Sequence, residues 1–221
     1  MKVEIWSDVM CPFCYIGKHR FEQALKQFDF SDDIDIDWKS FQLNPNLETQ
    51  PGKNITEHLA EVKDWSIERA DKMNRHVSTM ASEAGLNFNL DKAVIANSFN
   101  AHRFVHFAKT NGKGNEAEES LFKAYFTKGQ NIDDIDTLVE LGESLGLNNE
   151  ETRLVLESDK FANAVKQDIL AARNLGIQGV PFFLFNRKYA ISGAREIEVF
   201  EQALQKSWQE WNNESPMEPA D

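Results

Sequence analysis

Cys11-Pro12-Phe13-Cys14 is the stretch on which the reading of the chain turns, because it holds both cysteines of a 221-residue sequence. Ahead of it, Val3, Ile5 and Trp6 form a short apolar strand that runs on through Ser7-Asp8-Val9-Met10. Behind it, Ile16, Phe21, Leu25 and Phe28 recur at helical spacing. Proline suits a first helical position, where its missing N–H costs nothing, so the helix is predicted to begin at Pro12. Two cysteines three apart at a helix N-terminus face one side of the first turn, close enough to form a disulfide and to open it again. The free N–H groups and the positive end of the helix dipole favour the thiolate of Cys11. A thiolate there attacks a disulfide, and Cys14 then resolves the mixed disulfide. Cys14, deeper in the helix between Phe13 and Tyr15, is expected to be the less exposed thiol.

Other uses of the two thiols are weaker. Zinc needs four converging ligands, and the chain has no second cysteine pair. His102 and His106 have the i, i+4 spacing a metal could use, but they lie far along the chain, so no metal is expected. His19 reads as a surface or interface residue of the first helix, and His58 and His76 as solvent-facing. His102, among Phe99, Phe104, Val105 and Phe107, reads first as a satisfied histidine at a helix seam. A role in shaping the site is its second reading, since imidazole titrates near neutral pH.

Further along, Ile34, Ile36 and Trp38 alternate with charged residues, the period of a half-buried strand. Residues 44–52 carry loop chemistry, and a helical pattern then continues to about Leu175. Asn54 with Glu57, Asn115 with Glu118 and Asn148 with Glu151 have capping-box spacing, and Gly85, Gly112, Gly146 and Gly176 sit where helices would end. Five or six helices are expected here. After Gly176 the period changes: Phe182-Phe183-Leu184-Phe185, a turn at Asn186-Arg187-Lys188, and Tyr189-Ala190-Ile191 predict a β-hairpin. Pro181 alone reads as a strand-initiating proline. A last amphipathic helix carries Ile197, Phe200, Leu204, Trp208 and Trp211, and residues 212–221 are expected to fray. The order is that of an α/β thioredoxin-like fold with a large all-helical insertion. The thioredoxin-like part takes 1–45 and 176–221, and the insertion 46–175.

Acidic residues outnumber basic ones 36 to 24, for a formal charge of −12, and no run of Lys and Arg occurs. Nucleic acid and membrane are therefore not expected partners. The N-terminus lacks the apolar core of a secretory signal, and the apolar stretch from Val180 to Phe185 is far short of the ~20 residues a spanning helix needs. The expectation is a soluble, cytoplasmic protein.

Several longer motifs carry a resemblance to a known family. They are residues 7–17 around the dithiol, Phe41-Gln42-Leu43-Asn44-Pro45, Asn97-Ser98-Phe99-Asn100-Ala101-His102-Arg103, residues 121–129, residues 176–183 and Ser192-Gly193-Ala194. With them the chain resembles the DsbA-like thioredoxin superfamily, in its FrnE-type cytoplasmic branch. That branch is related to 2-hydroxychromene-2-carboxylate isomerases and kappa-class glutathione transferases. The resemblance implies that Cys11 attacks, that Cys14 resolves, and that Val180-Pro181 is a cis peptide packed against the dithiol. It also lays the insertion over the active site, and Pro12, Phe13, Val180, Pro181 and His102 are the expected substrate-binding or site-shaping residues. No cofactor is required, with glutathione a candidate redox partner. Substrates are disulfide- or thiol-containing proteins or small molecules, and the assembly is a monomer or homodimer.

Periplasmic DsbA carries histidine where this chain has Phe13, so a less oxidising disulfide is expected here. A glutathione-dependent isomerase or transferase acting on an aromatic small molecule is the first alternative. The related enzymes of that class use serine at the position of Cys11. A non-catalytic, redox-sensing module that binds a partner is the second alternative.

Overall fold

The computed structural model describes residues 1–214. The first strand, β1 (Lys2–Ser7), leads into α1 (Pro12–Lys26), which starts at the predicted proline and is followed by β2 (Asp35–Ser40). Seven α-helices follow: α2 (Ile55–Lys63), α3 (Ile67–Glu83), α4 (Phe99–Thr110), α5 (Gly114–Phe122), α6 (Ile135–Ser144), α7 (Asn149–Glu157) and α8 (Ala162–Asn174). The hairpin β3 (Phe182–Phe185) and β4 (Tyr189–Ser192) and the long α9 (Ile197–Glu214) complete the chain. The sheet order is β2-β1-β3-β4, with β1 parallel to β2 and antiparallel to β3. This is the expected fold.

The turn between β3 and β4 has positive φ at both Asn186 and Arg187 (46° and 56°). The Lys188 N–H closes this turn on the Phe185 carbonyl at 2.9 Å, and left-handed backbone at both central residues suits the right-handed twist of the flanking strands. On one face of the sheet, Phe183 meets Phe21 of α1 at 5.5 Å and Phe200 of α9 at 4.8 Å between ring centroids. All three rings are fully buried, each contributing about 1.5–3 kcal/mol by leaving water. Gly17 lets α1 come down on this layer: a Cβ there would stand 3.0 Å from Pro181 Cγ.

On the opposite face, α8 covers Trp6 and Leu184. The Trp6 indole N–H donates to the Asp168 carbonyl at 3.1 Å, and the Asp168 carboxylate accepts the Ser40 N–H at 3.0 Å. The sequence division placed α8 with the insertion; by packing it is the second layer on the sheet.

Two helix starts follow the expected caps. Asn54 accepts from the Thr56 and Glu57 N–H groups, and Asn148 accepts from Glu151. Asn115 does not cap. It lies inside α5, where its Oδ1 takes the Trp38 indole N–H at 3.0 Å, and the flanking residue of that helix is Lys113. Ser66 and Asp134 supply caps that the sequence reading missed. The helix count exceeds the expected five or six because Ser66 opens α3 only three residues after α2 ends. Expected fraying of residues 212–221 is corrected in part: residues 212–214 continue α9, and residues 215–221 lie outside the described residues.

Candidate functional site

Cys11 sits at the N-cap of α1 with extended backbone (φ −87°, ψ 112°), and Pro12 begins the helix. Its N–H donates to the Asp8 carbonyl at 2.9 Å, and its own carbonyl accepts the Cys14 N–H at 2.9 Å. These two bonds fix the bend between β1 and α1, so both sulfurs are set by backbone geometry rather than by long side chains. Neither cysteine is in a disulfide. Cys11 retains 5 % of its surface and Cys14 1 %, in the expected order. Burial pushes the Cys14 thiol well above its ordinary pKa, and the neighbouring Cys11 adds to this. The Asp8 backbone and the Ser7 hydroxyl act against the rise, because each can stabilise the thiolate that would form. A thiol held protonated in this way is the slower of the two to react from outside.

The Val180–Pro181 peptide is cis, and the Cys11 thiol donates to the Val180 carbonyl at 3.7 Å. Pro181 is buried, while Pro12, Phe13 and Val180 are half-buried at the margin. Pro12 and Phe13 lie between the two cysteines in the chain, and Val180 supplies the carbonyl that meets Cys11.

The insertion reaches the same helix turn. Tyr15 stacks on Phe122 at 4.8 Å and on Phe88 at 5.8 Å, and its hydroxyl donates to Glu119 at 2.9 Å. Burial and then the Glu119 carboxylate hold the Tyr15 phenol far above its usual pKa. Lys18, buried on the next turn, donates to Glu22 and Glu119 at 2.7 Å each. Burial opposes the charge of Glu119, but Lys18, Tyr15 and Lys123 together outweigh it and keep this carboxyl below the usual range.

His102 does not reach the sulfurs. It is 1 % exposed, with Nε2 2.9 Å from the Phe41 carbonyl and 3.7 Å from Asp8 Oδ1. Burial disfavours its charge, yet Asp8 and Glu118 together hold its pKa above the ordinary value. Asp8 also accepts the N–H groups of Leu43 at 2.7 Å and Met10 at 3.3 Å. His102 thus steadies the loop that carries Cys11. His106, one turn on, bonds instead to Ser40 Oγ at 3.2 Å and Asp168 at 3.0 Å, so the two histidines face different carboxylates. His19 and His58 are half-buried and only His76 is exposed, which corrects the solvent-facing reading of His58.

Three buried polar residues of this region escaped the sequence reading as site residues: Ser7, Asp8 and Glu118. Ser7 had a signal, since it stands where the Val3, Ile5 alternation calls for an apolar side chain. Glu118 had none, because a glutamate on an amphipathic helix reads as solvent-facing. The motif residues Asn97 and Arg103 are ties within the fold. Asn97 links Gln42 at 3.0 Å to the start of α4, and Arg103 donates at 3.0 Å to the Leu156 carbonyl in the last turn of α7 and to the Lys160 carbonyl just beyond it.

A dithiol at a helix N-terminus, beside a cis-proline segment at one end of a four-stranded mixed sheet, defines a thioredoxin-fold protein with a candidate redox centre. The chain belongs to the family of DSBA-like thioredoxin domains, whose model matches residues 2–205. It is 31 % identical over 205 residues to the uncharacterized protein YwbO of Bacillus subtilis (strain 168), covering 91 % of this chain and 94 % of that one. Among solved structures it is similar to a probable DsbA oxidoreductase from Streptomyces coelicolor, at 35 % identity and a TM-score of 0.89, over 100 % of this chain and 94 % of that one. The fold is also shared with the cytosolic disulfide reductase DsbM from Pseudomonas aeruginosa, solved with GSH, at 17 % identity and a TM-score of 0.69, over 95 % and 100 % of the two chains. Among the described residues, no helix is long and apolar enough to cross a membrane.

Proposed function

We propose that the protein is a thiol-disulfide oxidoreductase or isomerase that works through Cys11 and Cys14. The observation that carries this reading is the unequal pair: one thiol at the helix N-terminus against the Val180 carbonyl, the other buried and held protonated one turn inside. Cys11 attacks a disulfide of the substrate and forms a mixed disulfide. Cys14 then displaces the substrate thiol and closes the Cys11–Cys14 disulfide. The Val180 segment receives the substrate chain beside the sulfur, and Pro12 and Phe13 line its approach. No cofactor is needed, because electrons pass between sulfurs. Glutathione is the proposed small-thiol redox partner, and a cytoplasmic setting suits a dithiol kept reduced. The presence of a thiol at position 11, where the isomerase and transferase relatives use serine, favours exchange over glutathione-dependent isomerisation.

Insulin reduction by dithiothreitol tests the reading. Wild type should accelerate precipitation of the insulin B chain, and Cys11→Ser should reduce the rate to background. Cys14→Ser should accumulate mixed disulfides with substrate or glutathione, visible by mass spectrometry. Preferential alkylation of Cys14 over Cys11 would reverse the assigned roles.

A further inference from the structure

The alternation along β1 leads to Ser7. Val3 and Ile5 lie in the apolar cluster with Cys11 and Cys14, whereas Trp6 belongs to the cluster under α8. Two residues beyond Ile5, the Ser7 side chain therefore points to the face that carries the dithiol. Its backbone is pinned there: Ser7 pairs with Ser40 in the sheet, and its carbonyl accepts the Phe41 N–H at 2.9 Å. Immediately after it, the Asp8 carbonyl holds the Cys11 N–H, which brings the strand end beneath the first turn of α1. Ser7 is 0 % exposed, and its Oγ has no hydrogen-bond partner among the described residues. A buried hydroxyl without a partner carries its full desolvation cost, and an alanine of nearly the same shape would not. The Ser7 hydroxyl and the Asp8 backbone are the groups that act against burial on the Cys14 thiol. An orphan donor buried on the same face as a thiol that burial keeps neutral gains a partner when that sulfur becomes charged.

We propose that Ser7 is a catalytic residue of the exchange reaction, its hydroxyl donating a hydrogen bond to the Cys14 sulfur whenever that sulfur carries negative charge. This rests on the reading of Cys14 as the resolving thiol. In the resolving step Cys14 gives up its proton and its sulfur bonds to Cys11 Sγ. The bond from Cys11 to the substrate sulfur breaks with its electron pair, and the departing substrate thiolate takes up a proton. Two electrons have then passed from the protein dithiol to the substrate disulfide, with no other oxidant or reductant. In the reverse direction Cys14 is the leaving thiolate, and the same hydroxyl stabilises it. Hydrogen bonds to charged acceptors are stronger than neutral ones, so Ser7 stabilises the charged sulfur more than the resting thiol.

The experiment compares wild type and Ser7→Ala, each mixed at Cys11 with glutathione disulfide, quenched in acid and followed by mass. Ser7→Ala should resolve the mixed disulfide roughly tenfold or more slowly. Its Cys11 should still be alkylated by iodoacetamide at the wild-type rate. In a Cys11→Ser background, thiolate absorbance of Cys14 should titrate about one pH unit higher in Ser7→Ala than with Ser7 present. The melting temperature of Ser7→Ala should equal or exceed that of wild type, since an unpaired hydroxyl has been removed. Equal resolution rates in the two proteins would overturn the role of Ser7 while leaving exchange intact. A Ser7→Ala protein that fails to fold would contradict the orphan hydroxyl on which the role rests. A wild-type mixed disulfide that is never resolved would remove the exchange reading, and this inference with it.

Discussion

Helix α4 meets the sheet at two junctions one turn apart, and the two differ in how completely their buried polar groups are paired. At the rear junction, His106, the Ser40 N–H and Lys39 all converge on Asp168, at 3.0, 3.0 and 3.4 Å. Asp37 beside it collects Lys2, Lys39 and Lys109 at 2.8, 2.9 and 2.5 Å. At the front junction, His102 stands 3.7 Å from Asp8, and the nearby Glu118 Oε2 and Ser7 Oγ have no partner among the described residues. Each unpaired polar group costs stability. The rear junction is therefore built to hold the insertion on the sheet, and the front one retains unspent hydrogen-bonding capacity next to the thiols. Chemistry that alters the charge of a sulfur has use for such capacity.

Asp168→Ala should break the rear junction and gives the largest expected effect on stability. It leaves His106 and the Ser40 N–H without their acceptor, a loss of about 3–4 kcal/mol. Chemical denaturation would measure it, and exchange per folded molecule should stay near wild type. A variant that kept its stability but lost exchange would erase the distinction between the junctions.

Glu118→Gln tests the front junction. Burial raises the Glu118 carboxyl to about 7, against the partly compensating charges of His102 and Lys18. The unfolded chain ionises this group near its ordinary value of about 4.3, so in the window between the folded chain holds the proton more tightly. Folding stability should therefore fall as pH rises from about 5 to about 7.5, by about 2–3 kcal/mol for this group. His102, also held above its ordinary pKa, acts in the same direction: its contribution is present at low pH and lost as pH rises through its folded value. Melting temperatures from pH 5 to 8 should show the slope in wild type and a flatter curve in Glu118→Gln. An unchanged slope would remove Glu118 as its source.

The front junction was half legible in the sequence. The strand, the dithiol and Pro12 at the helix start are local signals, and each falls where it was expected because strand period and helix entry are decided within a few residues. The hairpin after Gly176 was legible for the same reason. The rear junction was not: His106 and Asp168 lie 62 positions apart, and no local pattern announces that they meet. Asn115 carried a false cap signal because the Trp38 indole, distant in sequence, competes for its side chain. Lys18 and Glu118 were invisible as buried groups, since charge on a helix ordinarily means solvent. What sequence periodicity misses here is the polar seam between insertion and sheet, which exists only once the two are packed together.

Cys11 and Cys14 are expected to form one reversible redox couple. Equilibrating the protein in buffers of varied reduced-to-oxidised glutathione ratio, then trapping free thiols by alkylation, measures it directly. A single two-electron transition to an intramolecular Cys11–Cys14 disulfide is expected. Its potential should be more negative than the about −120 mV of DsbA, because Phe13 offers the thiolate no donor. A dithiol that never closes at any ratio would rule out the redox couple, and a potential at or above that of DsbA would remove the effect assigned to Phe13.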